Sequence, residues 1–180
     1  MKFIPTAIPE VILIEPDVFN DARGFFLENY RKDLFARNGI GVDFIQDNHS
    51  QSAKGVLRGL HYQTAPKQQA KLVRVTRGEV FDVVVDIRPA SKTFGKHVAR
   101  RLNAHDKSML YVPPGFAHGY LTLSDEAEFL YKVSEVYSPE HERGLRWDDP
   151  SLGIAWPKLD VPFVLSEKDK KFPSLKELQV

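Results

Sequence analysis

Three side chains in this sequence could together move a proton beside a carbonyl group. His61 carries an imidazole that can accept a proton, Tyr131 can return one, and Lys71 as an ammonium can hold a developing oxyanion. Each also has an ordinary reading: a structural histidine, a core tyrosine, a snorkelling surface lysine. The pattern favours chemistry. Lys71 has the parity of Val73 and Val75, and Tyr131 and Tyr137 share one strand face. In "GVLRGLHYQ" (55–63) Arg58 and His61 stand three residues apart, so a straight strand would aim them at opposite faces. Both can serve one pocket only if the strand deforms, and Gly59 is the place for a bulge.

The scaffold that must position them reads as mainly β. "EVILIE" (10–15), "GFFLENY" (24–30), "VDFIQDN" (42–48), "KLVRVTRG" (71–78), "EVFDVVVDIR" (79–88), "HVARRLN" (97–103), "SMLYVPP" (108–114), "HGYLTLS" (118–124) and "AEFLYKVSEVY" (127–137) are β-branched or aromatic and bounded by turn residues. Many short strands at close spacing predict a double-sheet jelly roll or barrel. One helix is expected in "RKDLFARNG", with Gly39 at C′, and the tail beyond Pro139 should form loops and short helices over the barrel. The strand "EVFDVVVDIR" is apolar on both faces, so both are covered. Asp82, on the face of Val80 and Val84, then needs a partner, for which His118 is the candidate.

The 180 residues fit one domain, 1–180, and a net charge of +1 offers no general attraction to nucleic acid or an anionic membrane. With no cysteine there are no disulfides and no thiolate nucleophile; a soluble, cytoplasmic protein is expected. Pro5, Pro9 and Glu10 break the N-terminal apolar stretch before a signal core could form, and no run approaches the ~20 apolar residues of a membrane helix.

Gly55 with His61, and Pro113, Gly115 and His118 in a P-x-G-x-x-H array, resemble the two motifs of the cupin barrels, which usually supply a metal-binding cluster of three histidines and a glutamate. Here Gln63 stands at the second histidine of the first motif, no glutamate follows, and Lys71 stands near its expected place. An ammonium repels a cation, so the pocket is expected to hold no metal.

Taken together, "DARGFFLE" (21–28), "FIQDNHS" (44–50), "VLRGLHYQ" (56–63), "KLVRVTRGEVFDVVVDIR" (71–88), "PPGFAHGYLTLS" (113–124), "FLYK" (129–132), "VYSPEHE" (136–142), "WDDP" (147–150) and "LSEKD" (165–169) closely resemble the dTDP-4-dehydrorhamnose 3,5-epimerases, from about Phe3 to Phe172. The resemblance implies epimerisation of dTDP-4-dehydro-6-deoxy-D-glucose at C3 and C5, the carbons flanking the C4 ketone, to dTDP-4-dehydro-L-rhamnose without cofactor or metal, by removing each proton on one face and returning it on the other. It implies His61 as base, Asp169 as its carboxylate partner, Tyr131 as acid and Lys71 near the C4 oxygen. Arg23, Glu28, Gln46, Asp47, Asn48, Arg58, His118, Glu142 and Lys168 match nucleotide-sugar binding positions, and Phe25, Phe26 and Tyr137 are rings that could stack on thymine or sugar. The implied partner is a dTDP-linked 4-keto-6-deoxy sugar, and the implied assembly a homodimer. Three rivals stand beside this reading: a relative that epimerises only C3 or only C5, a metal-dependent cupin, and a sugar- or nucleotide-binding module without catalysis.

Overall fold

The computed structural model describes residues 1–178. In chain order the elements are β1 (Lys2–Pro5), β2 (Ile12–Glu15), β3 (Phe19–Asp21), β4 (Gly24–Phe26), α1 (Lys32–Arg37), β5 (Gln46–Ala53), β6 (Leu57–Gln63), β7 (Lys71–Arg77) and β8 (Glu79–Asp86). They continue with β9 (His97–Asn103), β10 (Met109–Val112), β11 (Phe116–Thr122), β12 (Glu126–Val133) and β13 (Glu142–Gly144), followed by 3-10 turns at Pro150–Leu152, Asp169–Lys171 and Leu175–Glu177. A six-stranded sheet ordered β1-β2-β10-β7-β12-β5 faces a five-stranded sheet ordered β13-β6-β11-β8-β9, and β3-β4 form a separate hairpin. The two large sheets pack as a jelly roll and do not close into a barrel.

Parity explains the layers. Val80 and Val84 of β8 meet Val73 and Val75 of β7, Leu110 and Val112 of β10 and Phe129 of β12 between the sheets. The alternate residues Val83, Val85 and Ile87 face outward with Leu60 and Tyr62, and the C-terminal tail covers them with Leu152 and Trp156. Outside the six-stranded sheet, Leu72, Met109 and Tyr111 pack under Phe35 of α1 and Ile40. Both sheets are therefore covered outside, as the two-faced apolar pattern of β8 requires. Asp86 at the end of β8 is buried, and its carboxylate takes hydrogen bonds from Arg88, Ser91 and Thr93.

Three expectations shift. The strand expected at 24–30 ends at Phe26, in the short β3-β4 hairpin. The strand expected at 42–48 runs instead over Gln46–Ala53, because Val42 and Phe44 leave the sheet to pack on the α1 cluster. The strand expected at 127–137 ends at Val133, so Tyr137 lies in the following loop and not on the strand face of Tyr131. The helix keeps its expected end: Asn38 caps it and Gly39 takes φ 87°, open to glycine at little cost.

Candidate active site

The pairing of β6 with β11 answers the parity problem. His61 lies opposite His118 and Arg58 opposite Tyr120, so three steps along β6 match two along β11, and β6 carries the extra residue. The deformation falls at Gly59, which takes φ 130°. A β-carbon there would stand 2.7 Å from Gly119 Cα, and one on Gly119 would stand 2.5 Å from the Arg58 carbonyl oxygen. Two glycines thus let the strands touch, and Arg58 and His61 emerge into the same cavity.

That cavity lies between the sheets. One lobe of about 260 Å³ is lined by Arg58, His61, Lys71, His118, Tyr120 and Tyr131 among others. A second lobe of about 210 Å³ shares His61, Lys71, Tyr131, Tyr137 and Glu142 and adds Gln46 and Asn48. His61 comes from the five-stranded sheet and Tyr131 from the six-stranded one, so they approach from opposite walls.

His61 Nε2 lies 2.8 Å from Asp169 Oδ1, and the Gly59 N–H donates to Oδ2 at 3.3 Å. Asp169 is 3% exposed. Burial alone would raise its carboxyl, yet hydrogen bonding and charge from His61, with the Gly59 amide, hold it below the ordinary carboxylate range. An ionised Asp169 takes the Nε2 proton as a hydrogen bond, which leaves Nδ1 as the atom able to accept another. Lys71, 7% exposed, donates to the His61 carbonyl oxygen at 3.2 Å. Burial pushes its ammonium down to about 8, against the opposing charges of Asp82 and Glu142. At neutral pH it is a mostly protonated cation that water screens poorly, suited to an oxyanion.

Tyr131 packs beside Phe129, and burial together with Tyr120 and Glu142 raises its hydroxyl while Arg58 opposes; it remains protonated at neutral pH, as an acid must. His118 Nε2 meets Asp82 Oδ2 at 2.9 Å, with Asp82 fully buried, so the expected pair forms. The Arg58 Nε–H donates to Ser52 Oγ at 3.0 Å, which orients the guanidinium along the rim. Tyr137 OH donates to Glu142 Oε2 and Lys168 Nζ to Oε1, both at 2.7 Å, tying three expected residues into one chain.

Other expected positions lie elsewhere. Asp47 sits on the face of β5 opposite to Gln46 and Asn48, exposed and paired with Lys132 at 2.8 Å. Arg23, Phe25, Phe26 and Glu28 do not line the cavity; Arg23 pairs with Asp21, Glu28 with Arg31, and the two rings are 59% and 67% exposed. Ser50 and Tyr120 line the cavity without having been singled out from the sequence. Their hydroxyls, 3.1 Å apart, sit on inward positions of β5 and β11, so strand parity was the signal that could have found them. Gln63 is engaged with the backbone: its amide donates to the Lys67 and Val136 carbonyls, and its oxygen accepts from the Ser138 N–H. Among the described residues no three His, Cys, Asp or Glu side chains gather as a metal-binding group.

The sequence matches the family model described as dTDP-4-dehydrorhamnose 3,5-epimerase over residues 5–177. It is 56% identical over 172 residues to the dTDP-4-dehydrorhamnose 3,5-epimerase of Pseudomonas aeruginosa, covering 95% of this chain and 94% of that protein. The crystal structure of the Legionella pneumophila 3,5-epimerase in complex with dTDP-4-keto-L-rhamnose superposes with a TM-score of 0.95 at 45% identity, over 98% of this chain and 94% of that one. A 3′-monoepimerase from Streptomyces bikiniensis, in complex with dTDP-quinovose, superposes at 0.89 with 37% identity, over 96% and 87%.

Proposed function

The chain belongs to the dTDP-4-dehydrorhamnose 3,5-epimerase family, and on that premise we propose that it is an isomerase converting dTDP-4-dehydro-6-deoxy-D-glucose to dTDP-4-dehydro-L-rhamnose, with residues 1–180 acting as one domain. The observation that carries this reading is the placement of His61, backed by Asp169, on one wall of the cavity and Tyr131 on the facing wall. His61 Nδ1 takes the proton from the carbon beside the ketone. The C–H electron pair becomes a C=C bond, and the carbonyl π pair moves onto the C4 oxygen. The Lys71 ammonium, with poor competition from water, holds that oxyanion. As the carbonyl re-forms, the Tyr131 hydroxyl delivers a proton to the opposite face of the same carbon, and solvent later restores both groups. Arg58 and Lys168 at the rim supply cations for the diphosphate, and His118, held by Asp82, points a second polar group at the sugar.

A homodimer belongs to the same reading. The β3-β4 hairpin presents Phe19, Phe25 and Phe26 largely exposed, a costly arrangement for a surface with no partner. Arg23, Phe25, Phe26 and Glu28 do not line this chain's own cavity, so a second copy is the means by which they would reach substrate.

The test is incubation with dTDP-4-dehydro-6-deoxy-D-glucose in D₂O, followed by NMR. Deuterium at both C3 and C5 with inverted configuration is the expected result. Deuterium at one carbon alone would replace the reading with a single epimerisation, at C3 as the Streptomyces bikiniensis neighbour is named for, or at C5. No incorporation by folded protein would refute both.

A further inference from the structure

Gly144 of β13 lies directly opposite His61 of β6, so the side-chain positions of the two share one face of the sheet. Glycine leaves its position empty, and Phe172 fills it: a β-carbon on Gly144 would come within 2.2 to 2.4 Å of three carbons of the Phe172 ring. From there the ring meets the imidazole edge-to-face, with centroids 5.6 Å apart and planes at 81°. The chain around Phe172 is pinned on both sides. The Lys171 N–H donates to the Lys168 carbonyl at 3.0 Å, and the Arg146 N–H to the Pro173 carbonyl at 2.8 Å. The same short segment carries Asp169. Rotation of a histidine ring about its last torsion is soft, with broad wells of similar energy, so a hydrogen bond at one nitrogen does not by itself hold the ring plane.

We propose that Phe172, seated over Gly144, is a positioning residue that holds the His61 ring in the one orientation where Nε2 meets Asp169 and Nδ1 faces the cavity. The inference rests on His61 being the base. The C-terminal segment thereby supplies both the electrostatic and the steric partner of the imidazole, and Gly144 is glycine because any side chain there would expel the ring.

The test measures kcat, KM and the ¹⁵N signals of the His61 ring in Phe172→Ala, Phe172→Tyr and Gly144→Ala. Phe172→Ala should lose about 10- to 100-fold in kcat, the scale of a misaligned reacting group, with KM within about twofold. Its His61 nitrogens should move toward values averaged between tautomers. Phe172→Tyr, which keeps the ring, should stay close to the parent, and Gly144→Ala should reproduce the alanine variant by displacing the ring. Parent kcat and unmoved nitrogens in folded Phe172→Ala would overturn the proposal, as would equal losses in the alanine and tyrosine variants. If Phe172→Ala does not fold, Phe172→Leu and Gly144→Ala decide by the same criteria. His61→Asn keeps the two ideas apart: retained turnover would remove the base assignment, while the ¹⁵N signals would still show whether Phe172 orients the ring.

Discussion

Replacing Asp169 by asparagine tests the charge behind the base while preserving volume. Asp169 Oδ1 lies 2.8 Å from His61 Nε2 in a nearly dry setting. Opposite charges at that separation interact by about 6 kcal/mol at an effective dielectric of ~20, and an amide dipole recovers part of this. At about 1.4 kcal/mol per decade the remainder corresponds to roughly 10³- to 10⁴-fold in rate. A second effect has the same sign. The asparagine carbonyl oxygen can keep the bond from the Gly59 N–H, which turns the amide NH₂ toward His61 Nε2. Nε2 must then accept, so the ring proton moves to Nδ1, and the atom facing substrate can no longer take a proton. Steady-state epimerisation and deuterium uptake at C3 and C5 in D₂O are the assay, with KM expected within a few-fold. A variant that keeps kcat within tenfold of the parent would show that Asp169 only anchors the Asp169–Lys171 turn. Stability offers a cross-check. A carboxyl held low in the folded state contributes stability that is present above its unfolded pKa and lost as pH falls through the folded value. Urea unfolding of Asp169→Asn should therefore lack that acid-labile part.

Tyr131→Phe should lose the roughly 10²- to 10⁴-fold of a missing general acid, yet still exchange substrate hydrogen through His61 with retained configuration; full-rate inversion would remove Tyr131 from the acid role. Lys71→Met should be nearly inactive but more stable at neutral pH. With the lysine depressed to about 8 from 10.5, the buried charge costs the fold about 3 kcal/mol below pH 8, and that cost fades as pH rises from 8 toward 10.5. Equal urea midpoints for variant and parent at pH 7 would contradict this. The same titration predicts that parent kcat falls as pH passes about 8, when the oxyanion's cation is lost; a flat profile to pH 10 would count against Lys71. Gly59→Ala should lose at least ~1–3 kcal/mol in a chemical melt, since it adds a β-carbon 2.7 Å from Gly119 at positive φ, and a parent-like melt would mean the bulge tolerates a side chain.

Local pattern determined a good deal of this protein. Apolar residues on both faces of "EVFDVVVDIR" required a strand covered on both sides, and the buried acid among them required a partner, which proved to be His118. For Arg58 and His61 to serve one pocket, their odd spacing around a glycine called for a bulge, because side-chain direction in a strand alternates and only an inserted residue can reset it; the register of β6 on β11 shows that bulge. Parity likewise placed Lys71 inward with Val73 and Val75. Strand β5 could not be located this way. Its inward positions, Gln46, Asn48, Ser50 and Ser52, line or border a polar cavity, so it carries no apolar alternation, while the apolar Val42 and Phe44 just before it belong to the cluster under α1. The arrangement of the C-terminal segment was decided only by the tertiary fold. Asp169 is 108 residues from His61 and was implied by family resemblance alone, and nothing local marks Phe172 as the neighbour of Gly144. Periodicity encodes which face of its own element a residue occupies. Which distant loop reaches that face depends on chain closure: here the Val56–Val164 bridge and the Arg146–Pro173 hydrogen bond bring the tail alongside β6 and β13.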